Sequence, residues 1–181
     1  MFDLFERIDT WRRHQGGAIL TVAPGATEEE IREAETALGV CLPGDLRYAF
    51  VLRNPFWLPL RGETQSIQDV VELWRLYCGV WTTDAWGSFS IPVGPVRPDW
   101  WNCRWIPISL DQHCCHFVDF DPAPGGQVGQ IVSYDCGDPR VKLIEPTTTV
   151  VATCFRQWVE KLVIDLERGS FELPVSERRP E

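Results

Sequence analysis

"WIPISLDQHCCHFVDFDPAPGGQVGQIVSYD", residues 105–135, decides what kind of domain this chain forms. Three of its runs, "RWIPISL" (with Arg104), "HFVDFDP" and "GQIVSYD", are rich in β-branched and aromatic residues and are punctuated by Pro, Gly and Asp. Short runs of this kind read as strands. Within "FVDF" the alternation puts Phe117 and Asp119 on one face and Val118 and Phe120 on the other. A fourth run, "RVKLIEP" at 140–146, follows closely. Strands so near in sequence pair most easily as an antiparallel meander.

Moving outward, the pattern turns helical on both sides. Upstream, "PGATEEEIREAETALG" has Thr27 as a cap, Glu30 three residues on to complete a capping box, an Ile31–Ala34–Leu38 stripe, and Gly39 to end it. A helix opened by Pro43 buries Leu46, Ala49 and Phe50 and stops at "RNP"; another runs from Ser66 to Gly79. At the start of the chain Phe2, Phe5, Ile8 and Trp11 fall at near-helical spacing. Downstream, "TCFRQWVEKLVIDLERG" turns Phe155, Trp158, Leu162 and Leu166 inward. The expected fold class is therefore α+β: one domain over residues 1–173, a mainly antiparallel central sheet, N-terminal helices and a closing C-terminal helix. Residues 174–181 read as a flexible tail.

Composition narrows the function classes. The chain has 181 residues, 44% hydrophobic and 24% charged, which suits one core. A net charge of −9 argues against nucleic-acid binding, which needs a basic face, and instead suits a basic protein partner. Asp3, Glu6 and Asp9 interrupt the first apolar residues, so no signal peptide is expected, and no run is long enough to cross a bilayer. The expected address is the cytoplasm. Seven cysteines, odd in number and without a C-x-x-C pair, fit free thiols in a reducing compartment.

Two stretches together resemble the SUKH superfamily, the group that includes the fungal Smi/Knr cell-wall regulators. The first, "PGATEEEIREAETALGVCLPGDLRYAFVLRN", is similar to its P-G-A, I-x-x-x-E-x-x-L-G, L-P-x-D-L-R and Asn pattern. The second, residues 105–131, is similar to W-I-P-I-x-x-D followed by D-x-D-P-x-x-G-G-x-x-G-Q-[IV]. This chain departs where the superfamily has a small Gly/Asn-rich turn, carrying Gln112, His113, Cys114 and Cys115 instead, and Asn54 is followed by Pro55. The resemblance implies a protein-binding role without catalysis: bacterial members are commonly immunity proteins that block a toxin, and fungal members regulate wall synthesis.

The most chemical-looking letters, "HCCH" at 113–116, have the atoms of a zinc site in a poor layout. Neighbouring strand residues point to opposite faces, whereas a tetrahedral ion draws ligands from separated pairs. Cys103 or Cys136 would have to complete the set. A Cys–His nucleophile lacks an oriented base and an oxyanion hole. The expectation is a hairpin turn with partly packed cysteines and partly solvated histidines. "DPAPGGQVGQ" lacks the G-K-[ST] of a phosphate loop and reads as a sharp turn. Asp119 and Asp121, spaced as a paired-carboxylate or calcium site would require, have no further ligands grouped with them and are expected to bond backbone in that turn. No catalytic residue, metal ligand or cofactor is expected.

Nine tryptophans, most of them between Trp57 and Trp105, are harder to place. Adjacent Trp100 and Trp101 are not expected to share one core if their segment is extended. Aromatic residues beside acids make a hot-spot surface. The expected partner-binding residues are Trp81, Asp84, Trp86, Asp99, Trp100 and Trp101, with Asp111 and His113 at the hairpin. The expected partner is a cognate toxin domain with a basic surface.

Overall fold

The computed structural model describes residues 1–15, 23–59, 63–80, 90–110, 114–135 and 146–170. Helix α1 spans Phe2–His14, α2 Glu28–Leu38, α3 Gly44–Leu52, α4 Ile67–Val80 and α5 Phe155–Glu167. The starts of α2, α4 and α5 are fixed by side-chain partners for their first N–H groups. Thr27 and Glu30 form the capping box of α2 (Glu30 N–H to Thr27 Oγ1 3.2 Å, Thr27 N–H to Glu30 Oε2 2.7 Å). Ser66 and Asp69 do the same for α4, at 3.1 and 3.2 Å. Two caps come from far away in sequence. Asn54 Oδ1 accepts from Ile67 N–H at 2.7 Å, and Asp45 Oδ2 accepts from Arg156 N–H at 2.7 Å. Such caps contribute about 1 kcal/mol each. In α1 the inward face is Leu4, Phe5 and Ile8, so the stripe is rotated from the expected one and Phe2 is exposed.

The strands are β1 (Glu63–Thr64), β2 (Ile91–Val93), β3 (Trp105–Leu110), β4 (Cys114–Asp119), β5 (Gln130–Asp135) and β6 (Thr147–Ala152). They form one sheet in the order β1-β3-β4-β5-β6-β2. The β3-β4-β5-β6 run is the antiparallel meander, and β1 is antiparallel to β3. β2 runs parallel to β6, with Ile91 N–H donating to Pro146 O at 2.8 Å. All of the strand expected at 140–146 except Pro146 lies outside the described residues. β6 itself, "TTTVVA", was not anticipated: only Thr153 and Cys154 separate it from α5, too little to mark a boundary.

The helices share one core with a single sheet face, α4 and α5 lying against the strands while α1, α2 and α3 pack on them and on one another. There Ile106, Ile108, Val118, Ile131 and Ala152 join Leu46, Phe50, Phe56, Phe155 and Val159 in the larger core. Each fully buried side chain of this size contributes roughly 1.5–3 kcal/mol before chain entropy is subtracted. The predicted alternation of "FVDF" holds: Phe117 faces away from the helices, while Val118 and Phe120 face them. The opposite sheet face carries a second, smaller cluster of Val96, Trp105, Phe117, Val132 and Tyr134.

The first superfamily-like stretch is spent inside this architecture. Gly25 lies against α3, where an added Cβ would meet Val51 O at 1.8 Å. On either side, Ala26 N–H donates to Phe50 O (2.8 Å) and Asn54 N–H to Pro24 O (3.1 Å). Glu35 accepts from Leu42 N–H at 2.9 Å, and Arg47 makes a two-toothed pair with Glu28 at 2.6 and 2.8 Å.

Candidate partner-binding site

The site is built on the sheet face that the helices leave open. A segment leaving β2 crosses that face and returns through Trp100, Trp101 and Asn102 to β3. Its entry is shaped by Gly94 (φ +91°) and a Val96 N–H to Gly94 O bond of 2.9 Å. Ser90 ties the ends together: its N–H donates to Pro98 O at 3.0 Å and its hydroxyl to Asp99 O at 2.9 Å.

Asn102 organises the return. Its Nδ2 donates to Asp99 Oδ2 (3.0 Å) and Asp121 Oδ2 (3.1 Å), its Oδ1 accepts from Arg104 N–H (2.8 Å), and its carbonyl accepts from Trp105 N–H (2.8 Å). The loop is therefore not extended, and this changes what adjacency means for its tryptophans. Trp100 and Trp101 both pack on the same cluster, against the expectation that they would not share one. Trp101 stacks on Tyr77 of α4 at 4.8 Å and meets Phe117 edge-on at 5.2 Å; Trp100 meets Tyr134 edge-on at 5.7 Å. Both indoles stay partly exposed. Trp74 Nε1 anchors the end of the loop by donating to Cys103 O at 2.8 Å.

The glycine-rich turn after β4 clamps this loop from below. Asp119, fully buried, accepts from Asp121 N–H at 2.8 Å and from Gln130 Nε2 at 2.9 Å. Gln130 Nε2 also reaches Pro95 O at 3.0 Å. A Cβ on Gly126 would lie 2.6 Å from that same Pro95 carbonyl, so the turn can approach the loop only with glycine there. Gly125 and Gly129 hold φ near +90°. Burial pushes the Asp119 carboxyl up from its ordinary range. The donors at Asp121 and Gln130 pull against that shift, as does the nearby Trp105 indole, which lies outside good hydrogen-bond geometry. The Arg97 guanidinium, 2.7 Å away, holds Asp121 below the usual carboxylate range. The turn is thus a clamp in which Asp119 bonds backbone as expected, while Asp121 pairs with Arg97 and Asn102.

"HCCH" comes apart on inspection. Cys114, Cys115 and His116 belong to strand β4, which corrects the expected turn. Cys115 packs with the tryptophan cluster, whereas His116 points to the helix face, its ring 4.8 Å from Trp158 and its Nδ1 2.7 Å from Ser109 Oγ. Burial lowers the His116 pKa to about 4, so it is not the solvated histidine expected. Among the described residues no three His, Cys, Asp or Glu side chains gather as metal ligands. No described helix is long and apolar enough to cross a membrane.

Of the expected site residues, Asp99, Trp100 and Trp101 are brought together here. Trp81, Asp84, Trp86, Asp111 and His113 lie outside the described residues. Sequence reasoning missed Asn102 and Tyr77. Asn102 had one signal, its place directly after the tryptophan pair; Tyr77 lies within the helix expected from Ser66 to Gly79, with nothing local to single it out.

No curated protein matches the sequence. The profile of the SMI1 / KNR4 family (SUKH-1) matches residues 25–161, spanning the capped helices, the meander, the glycine turn and the tryptophan loop. The chain belongs to the SMI1 / KNR4 family (SUKH-1).

Proposed function

We propose that the protein acts without catalysis, as an immunity protein that binds a cognate toxin and blocks it. The carrying observation is the pair of partly exposed indoles, Trp100 and Trp101, held by Asn102 and Gln130 beside Asp99. Large, rigid aromatic side chains on a fixed loop are what binding hot spots use. The net charge of −9 complements a basic partner and speeds encounter, while the aromatic contacts slow release. The block would be steric, the loop covering the toxin's basic site.

The test is co-expression with each protein encoded beside this gene. The expected result is that one of them is lethal alone, is rescued by this chain, and forms a stable complex that Trp100→Ala weakens at least tenfold. Absence of both rescue and complex with every neighbour refutes the immunity reading. Wall-synthesis enzymes recovered as stoichiometric partners would favour the second reading, a regulatory module of the cell-wall type.

A further inference from the structure

Beneath the tryptophan loop lies a thiol pair that the binding role does not use. Cys78, on the last turn of α4, and Cys103, at the end of the loop, are both free and partly exposed. Two contacts along α4 bring the two segments together. Trp74, one turn before Cys78, holds the Cys103 carbonyl at 2.8 Å. Tyr77 stacks on Trp101 at 4.8 Å. Cys78 follows Trp74 by one helical turn and so lies on the side of α4 that meets the end of the loop, where Cys103 is near enough to act on its thiol.

We propose that Cys78 and Cys103 form a site of oxidative modification, in which a small-molecule disulfide such as oxidised glutathione converts the pair into a disulfide. The Cys103 thiolate attacks one glutathione sulfur, forming a mixed disulfide and releasing one glutathione thiolate. Cys78 then gives its proton to solvent and attacks the Cys103 sulfur, forming the Cys78–Cys103 bond and releasing the second glutathione. Two protein thiols are oxidised and one glutathione disulfide is reduced to two thiols. Burial and the neighbouring Cys103 push the Cys78 thiol up to about 12, which makes Cys78 a poor first nucleophile and leaves the attack on glutathione to Cys103. The product ties the end of α4 covalently to the loop that carries Trp101.

The chain provides a clean assay. Trypsin does not cut Arg97–Pro98, so it releases residues 76–104 as one peptide that holds Cys78 and Cys103 and no other cysteine. The full-length protein is incubated with oxidised glutathione, its remaining thiols are capped with a maleimide, and it is digested without reductant. Exposed Cys41 reports that the reagent reacts. The expected result is peptide 76–104 short of two hydrogens and carrying no maleimide. Cys78→Ser should leave Cys103 trapped as a glutathione adduct, and Cys103→Ser should leave Cys78 maleimide-labelled. Two maleimides on the wild-type peptide, once Cys41 has become glutathionylated, overturn the proposal. So does pairing of either cysteine with a partner outside the peptide.

Discussion

Replacing Gly25 by alanine tests whether the family-like opening stretch serves the fold itself. The new Cβ would stand 1.8 Å from Val51 O and 2.5 Å from Val51 C, both backbone atoms that no rotamer change moves aside. Reaching an ordinary contact of 3.4 Å from 1.8 Å requires about 1.6 Å of separation between the 24–26 segment and α3. The Ala26–Phe50 and Asn54–Pro24 bonds bracket that point and would both lengthen beyond use. Overpacking costs about 1–3 kcal/mol, and each lost backbone bond adds about 1 kcal/mol. The sum, on the order of 4 kcal/mol, is a large part of the roughly 5–15 kcal/mol that holds a domain together. In urea, with a slope of about 2 kcal/mol per molar, the unfolding midpoint should fall by about 2 M. Gly44→Ala is the control: nothing lies within 4 Å of its Cβ, and alanine favours the helix it begins. A Gly25→Ala midpoint as close to wild type as that of Gly44→Ala would refute the packing argument.

Acid should destabilise the protein through His116. Its folded pKa of about 4 lies below the ordinary 6.5, so the unfolded chain binds more protons and stability drops as pH falls from about 6.5. By pH ~4.5 the loss should reach roughly 2–3 kcal/mol in thermal or urea melts, and His116→Gln should flatten that slope. Asp119, shifted upward, acts with the opposite sign as pH falls through its raised pKa towards the ordinary carboxylate value. Asn54→Ala removes the acceptor for Ile67 N–H and should cost about 1–2 kcal/mol, read as a lower Tm. Gln130→Ala removes the donor shared by Pro95 O and the buried Asp119 carboxylate and should cost about 2–3 kcal/mol. Amide exchange should then quicken in the loop after β2 before it does in β4 and β5.

What could be read in the residues was whatever is decided locally. The Thr27–Glu30 and Ser66–Asp69 boxes, the Gly39 stop and the alternation of Phe117 and Val118 each depend on neighbours within a few positions. β2 escaped because Pro92 speaks against a strand, and β6 because its threonines run almost directly into α5. The candidate site was half legible. The aromatic and acidic composition of the loop marked it out, but its support is non-local: Gln130 reaches Pro95 across 35 positions and Asn102 reaches Asp121 across 19. Spacing along the chain carries no trace of such pairs. "HCCH" was read as a turn for the same reason: its place in β4 is set by pairing with Ser133, Tyr134 and Asp135 of β5, which its own letters do not show.

The placement of Pro92 in β2 bears on how the sheet can be used. Among the described residues β2 has one neighbour, β6, and it is Ile91 whose N–H turns towards that neighbour. The residue between Ile91 and Val93 therefore faces outward, and as proline it offers a carbonyl but no N–H. An incoming strand would find its central donor missing, so neither a partner's extended peptide nor a second copy can continue the ladder there. Ile91 and Val93 can thus remain exposed at this end without inviting chain-to-chain growth, and recognition there has to proceed through side chains.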